Sequence, residues 1–176
     1  MRAISSNIII ILILTTLLIF GCKSKTRYVD ILIVGGGASG VAASVQASRL
    51  GCEVILVEET SWLGGMLTSA GVSAIDGNYK LQSGFFGEFI DSLIIHYGSL
   101  DSLKTGWVSN ILFEPSVGNQ IFREIISNEK NIETYFHSNL VSLKKQDIGW
   151  CALINKNGEL CNIYAKIVID ATELGD

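Results

Sequence analysis

The sequence predicts an α/β domain built on a parallel sheet, and three observations carry that reading. Asp30-Ile31-Leu32-Ile33-Val34 is an unbroken β-branched aliphatic run, as a strand buried on both faces requires. It passes directly into Gly35-Gly36-Gly37-Ala38-Ser39-Gly40 and then into Val41–Leu50, which is Ala-rich and free of Gly and Pro, as a helix should be. Gly51 stops that helix, and a second aliphatic strand, Val54–Val57, ends at Glu58. The 176 residues suffice for one ordinary domain. With 48% hydrophobic and 17% charged residues the chain is not a disordered one. The formal net charge of -4 gives no basic surplus for a nucleic-acid partner. Four cysteines are too few and too scattered for a disulfide scaffold. The two histidines, His96 and His137, leave no His-rich metal site, and no metal ligand set is expected.

The first 21 residues read as a leader outside the fold. Arg2 supplies a positive start, and Ile8–Phe20 carries no charge. As a helix that run would be roughly 20 Å long against a hydrocarbon core of about 30 Å, short for a membrane span and suited to an export signal. Leu18-Ile19-Phe20-Gly21-Cys22 resembles the cleavage motif of bacterial lipoproteins. That likeness implies cleavage before Cys22 and a lipid on its thiol. Residues 22–28, with Lys23, Lys25 and Arg27, then form a polar tether, and 29–176 form the folded domain. The expected location is the cell envelope, in the bacterial periplasm or at the outer membrane, with the lipid as the membrane contact. No twin-arginine pair precedes the apolar run, so the chain would cross unfolded and acquire any cofactor outside.

Gly35, Gly37 and Gly40 satisfy G-x-G-x-x-G between a strand and a helix, and each has a distinct task. Gly35 permits the tight turn, Gly37 lets a diphosphate approach the backbone, and Gly40 lets the helix pack closely. The amides of the first helix turn and the helix dipole would hold the phosphate charge, with Ala38, Ser39 and Gly40 in the turn as candidate contacts. Glu58, at the tip of the second strand, can accept both hydroxyls of a ribose and would repel a 2′-phosphate. A dinucleotide with a free adenosine ribose is the ligand this pattern points to.

Thr60-Ser61-Trp62-Leu63-Gly64-Gly65-Met66-Leu67-Thr68-Ser69 adds a second glycine pair just past the ribose-binding acid. A simple NAD domain does not need one. With the preceding motif, this stretch resembles the glutathione-reductase-type FAD-dependent oxidoreductases, most closely a family with a Trp-Leu-Gly-Gly loop and exported bacterial members. The resemblance runs from Asp30 to Asp176. It implies a Rossmann-type FAD/NAD(P)-binding fold with FAD as cofactor, contacts at Gly64 and Gly65, and hydride transfer between a small-molecule substrate and the flavin. Many flavoproteins of the superfamily place arginines around this glycine pair, where Trp62 and Met66 stand here. Backbone donors would then carry more of the diphosphate charge.

Between these anchors, Phe85, Phe89, Leu93 and Tyr97 recur every fourth residue, which predicts an amphipathic helix over 85–97 whose aromatics pack into a core. Pro115 opens another helix, with Val117, Ile121 and Ile125 on one face. The two form a helical insertion between the second and third sheet strands. Asn131–Phe136 reads as the third parallel strand. Leu140–Lys145, Trp150–Ile154 and Leu160–Tyr164 read as short strands, the last two joined by an Asn157-Gly158 type I′ turn. That turn pairs Ile154 with Cys161 and Cys151 with Tyr164, so Cys151 and Cys161 do not face each other. Cys52 is expected to be a small buried residue. The resemblance implies that these strands are a β-meander, and that the adenine meets the backbone near Val141. Tyr164–Asp170 is strand-like and leads into Ala171-Thr172-Glu173, similar to the family's step beside the cofactor, so Ala171 and Thr172 are candidate contacts.

No catalytic base is assigned by these residues. In the superfamily the substrate domain and the last cofactor segment lie further along the chain. The expectation is therefore an N-terminal fragment or truncated product with an incomplete fold. Two other readings stay open: a module that binds NAD or ADP without redox chemistry, and a non-functional remnant.

Overall fold

The computed structural model describes residues 26–75, 77, 80, 83–104 and 109–175. The expected leader, the lipidation site Cys22 and residues 22–25 of the expected tether lie outside the described residues.

β1 (Thr26–Val34) and β2 (Val54–Val57) pair in parallel, with Ile31 opposite Val54 and Val34 opposite Val57. β3 (Ile132–Tyr135) joins the other edge of β2, and β6 (Glu159–Asp170) the other edge of β1. β4 (Ser138–Lys145) and β5 (Trp150–Lys156) complete the meander by antiparallel pairing. Among the described residues these strands form one sheet in the order β3-β2-β1-β6-β5-β4. β1 begins at Thr26, so the last three residues of the expected tether belong to it.

The sequence reading separated a third meander strand, Leu160–Tyr164, from a returning strand, Tyr164–Asp170. The structure joins them into the 12-residue β6. No Gly or Pro interrupts Glu159–Asp170, so the strand continues past Ala165 even though the inward alternation of Cys161, Ile163 and Ala165 ends there, with Ile167 exposed. β6 therefore serves two layers. Its first half pairs with β5 and with Thr26–Val29, and its second half pairs with Ile31–Val34. Glu133 on β3 holds both Arg27 (2.6 Å) and Lys156 (3.7 Å), so the meander end of the sheet folds back over β3.

The Asn157-Gly158 turn has positive φ at both residues, 52° and 90°, as a type I′ hairpin requires. It sets the expected register, Ile154 opposite Cys161 and Cys151 opposite Tyr164. Cys52, Cys151 and Cys161 are free thiols, and Cys52 is half-buried.

α1 (Ala38–Arg49) follows β1, starting three residues earlier than the composition alone suggested, because Gly37 is its N-cap and the Val41 amide donates to the Gly37 carbonyl. α2 (Gly84–Tyr97) and α3 (Pro115–Ser127) form the insertion between β2 and β3. Phe89 and Phe122 are buried and stack at 4.5 Å, so the aromatic row packs into the core. This stack turns α3: Gly118, Ile121, Phe122 and Ile126 are buried, while the expected Val117 and Ile125 are half-buried. Helices cover the sheet face of Ile33, Val54 and Leu56. The meander, through Ala152, Ile154 and Ile163, covers the face of Leu32, Val34, Ile55 and Val57. The carboxyl ends of β1 and β2 are left open between the two layers, where a parallel sheet places its ligand crevice.

Candidate dinucleotide site

The glycine turn leaves β1 at Val34, whose carbonyl accepts the Ala171 amide from the end of β6 (2.8 Å). Gly35 adopts φ 101°, and a Cβ there would lie 2.4 Å from the Ala171 carbonyl oxygen. Gly40 packs against the turn itself: a Cβ would lie 1.9 Å from the Gly35 oxygen. Gly37 behaves in the opposite way, because a Cβ there would meet nothing within 4 Å. The open side of Gly37 faces a cavity of about 670 Å³, ordinary for a ligand site. α1 has no side-chain cap and no acid in its first turn, so the first-turn amides of Ala38, Ser39 and Gly40 lack helical partners and the helix itself carries no charge that offsets its positive end.

Glu58 is held at the rim of the same cavity. Its Oε2 accepts the Gly36 amide and its Oε1 the Thr60 amide, each at 2.8 Å. The Glu58 carbonyl accepts the Ser138 amide at 3.0 Å, which joins β4 to the end of β2. With both oxygens oriented by backbone donors, the carboxylate keeps its remaining lone pairs toward the cavity.

The second glycine pair forms a wall of this site. The Gly64 amide donates to the Gly36 carbonyl, and Gly37 and Gly64 form a parallel bridge. Gly64 itself is buried against Phe122, while Gly65 reaches the cavity. The Thr68 hydroxyl locks the loop by donating to the Leu63 carbonyl at 2.6 Å. Arg123 donates to the Ser61 carbonyl and lies over Phe136, behind the loop, and does not line the cavity.

Of the residues singled out from sequence, Gly35, Gly37, Glu58, Gly65, Val141, Ala171 and Thr172 line the cavity together. Ala38, Ser39, Gly40 and Gly64 stand in the turn and its supporting packing. At Val141 the β4–β5 register jumps from Leu140 to Ser142, so the bulge leaves Val141 without a cross-strand partner, half-exposed at the cavity. Sequence reasoning missed Thr60, Ser138, Asn139 and Glu173 as lining residues. Thr60 was the most legible of them, since a threonine two residues past an acid can turn its amide back onto the carboxylate.

No Lys, Arg or His lines the cavity among the described residues, whereas Glu58, Glu59 and Glu173 do. Below them, the Thr172 hydroxyl and amide both donate to Asp170 Oδ1 and hold that carboxyl below the usual range. These residues fit an adenine dinucleotide: bare Gly37 backbone for a diphosphate, an oriented carboxylate for a ribose, and a bulged strand edge for a base. Among the described residues no cluster of His, Cys, Asp or Glu could hold a metal ion. No described helix is long and apolar enough to cross a membrane.

The chain is 28% identical over 151 residues to digeranylgeranylglycerophospholipid reductase 2 of Methanosphaera stadtmanae, covering 81% of this chain and 38% of that protein. It is 26% identical over 121 residues to carotenoid phi-ring synthase of Chlorobaculum tepidum, covering 65% of this chain and 18% of that one. The chain thus spans well under half the length of these relatives. In fold it is similar to a flavoprotein/dehydrogenase from Cytophaga hutchinsonii, with a TM-score of 0.61 at 18% identity over 85% of this chain and 40% of that one. The family model for FAD dependent oxidoreductases matches residues 30–176, from the first buried strand through the Ala171-Thr172 step, and this chain belongs to that family.

Proposed function

We propose that residues 29–176 hold FAD in an oxidoreductase acting on a small-molecule substrate. The diphosphate lies on the amides of Ala38, Ser39 and Gly40 beside Gly37. The adenosine ribose is gripped by Glu58, the adenine rests near Val141, and Gly65, Ala171 and Thr172 border the rest of the cofactor. When bound, FAD supplies the hydride-accepting ring. The chain's own contribution is to bind and orient: α1 offers its positive end, Glu58 accepts hydrogen bonds from the ribose hydroxyls, and the 64–68 loop and the meander wall the cavity from water. The observation that supports this reading most is that Gly37 and Glu58 open onto one cavity. Export as a lipoprotein, with Cys22 carrying the lipid and the domain in the cell envelope, belongs to the same proposal. Loss of fatty-acid labelling in Cys22→Ala tests that part.

The cofactor assignment is tested by titrating FAD into the purified chain and following flavin fluorescence and visible absorbance. The parent is expected to bind, and Gly37→Glu and Glu58→Ala are expected to lose at least about tenfold in affinity. Equal retention of FAD by both folded variants would overturn the assignment.

A further inference from the structure

Glu173 stands against the glycine wall of the cavity. The point where a Cβ on Gly65 would lie is 2.4 Å from Glu173 Oε1 and 3.1 Å from the Gly37 Cα. One carboxylate oxygen therefore sits beside the bare backbone at the N-cap of α1. It comes from the segment after β6, which is exposed and has no regular structure. Glu58, the other carboxylate next to the turn, is tied down by the Gly36 and Thr60 amides. Three carboxylates line the cavity, and no cationic side chain does among the described residues.

We infer that Glu173 sets the affinity of this site for diphosphate ligands: its carboxylate shares the mouth of the α1 anion site and must move aside when a diphosphate binds there. The inference rests on the reading of this cavity as the FAD site. The physical basis is like-charge opposition in a partly enclosed space without a compensating cation. The opposition acts on the phosphates and spares the uncharged nucleoside. Glu173 acts on cofactor affinity and takes no part in proton or hydride movement. Its side chain is exposed and belongs to neither core cluster, so its replacement leaves the packing of the sheet and helices intact.

The test compares dissociation constants of FAD, ADP and adenosine for the parent chain, Glu173→Gln, Glu173→Ala and Glu159→Gln. Glu159 is exposed at the meander hairpin and removes the same charge away from the cavity. FAD and ADP are expected to bind about tenfold tighter to both Glu173 variants. Adenosine should change by less than about twofold, as should every ligand with Glu159→Gln. Unchanged or weaker FAD and ADP binding in both Glu173 variants would overturn the inference. So would equal tightening of adenosine, or equal tightening in Glu159→Gln. Tight binding by the Glu173 variants where the parent binds poorly supports it. If no protein in the set binds FAD or ADP, the reading of the cavity itself falls, and the inference falls with it.

Discussion

The Gly64 amide donates to the Gly36 carbonyl over 2.8 Å, so the glycine turn after β1 and the glycine pair after β2 form one structural unit. The contact explains why the second pair exists. The loop is pressed between the first turn and α3: a Cβ on Gly64 would lie 2.5 Å from the Phe122 ring, and one on Gly65 would lie 3.1 Å from the Gly37 Cα.

Gly64 and Gly37 therefore separate structural from ligand roles. Gly64 has φ 105° and no room, so Gly64→Ala is expected to lower unfolding free energy by about 2–4 kcal/mol. Gly37→Ala places its methyl in open space at an ordinary φ of −62°, so stability should stay within about 0.5 kcal/mol of the parent while FAD affinity falls. Urea melts and FAD titrations on the two variants check this. Equal stability of both variants would contradict the packing described above.

Gly40→Ala is expected to be the most damaging of the glycine substitutions. Its Cβ would stand 1.9 Å from the Gly35 backbone oxygen, and backbone cannot yield as a side-chain tip can. The clash forces α1 off the sheet, with a cost of about 3 kcal/mol or more. Thermal unfolding should show a strongly lowered or non-cooperative transition.

Glu58→Ala removes the acceptor of two amides at once. The Gly36 amide belongs to a buried residue, and leaving it unpaired costs about 1–3 kcal/mol. Hydrogen exchange at Gly36 and Thr60 should accelerate together in this variant, because one carboxylate holds both. Exchange that changes at only one of the two amides would show that the pairing is not shared.

Tyr135 predicts an alkaline limb in stability. Burial, with the Glu133 charge as the next cause, pushes its hydroxyl up to about 12 from an ordinary 10.0. The folded state thus holds this proton more tightly than the unfolded one. Its contribution is complete below pH 10 and is lost as pH rises toward 12. Tyr135→Phe keeps the ring under Lys156 and removes the proton. The stability lost between pH 9 and pH 11 should be smaller in Tyr135→Phe than in the parent, by about 1 kcal/mol. Equal losses would show that another group carries the alkaline limb.

Legibility followed the range of the interaction. The β-branched run, the glycine spacing and the Ala-rich stretch were readable because each acts within one turn or one strand. The Asn157-Gly158 hairpin was readable to the residue because a two-residue turn with positive φ admits one register. The aromatic row of α2 was assigned to the core correctly, yet the buried face of α3 was read one residue off. Its orientation depends on Phe122 meeting Phe89, a contact between helices that no single helix pattern contains. The division of β6 into two strands failed for a related reason. The boundary was expected at Tyr164, and the chain runs through it as one strand because β1 pairs with both halves.

The sequence by itself determined a strand–glycine turn–helix–strand unit ending in an acid, because backbone sterics and hydrophobic periodicity act between neighbours along the chain. The tertiary structure alone decided that Glu58 grips Gly36, that Gly64 lies on the same turn, that Val141 bulges toward the cavity, and that Glu173 stands beside Gly37. A parallel sheet gathers the ends of strands that are far apart in sequence, and what meets at that edge is set by packing between layers, which no spacing along the chain records.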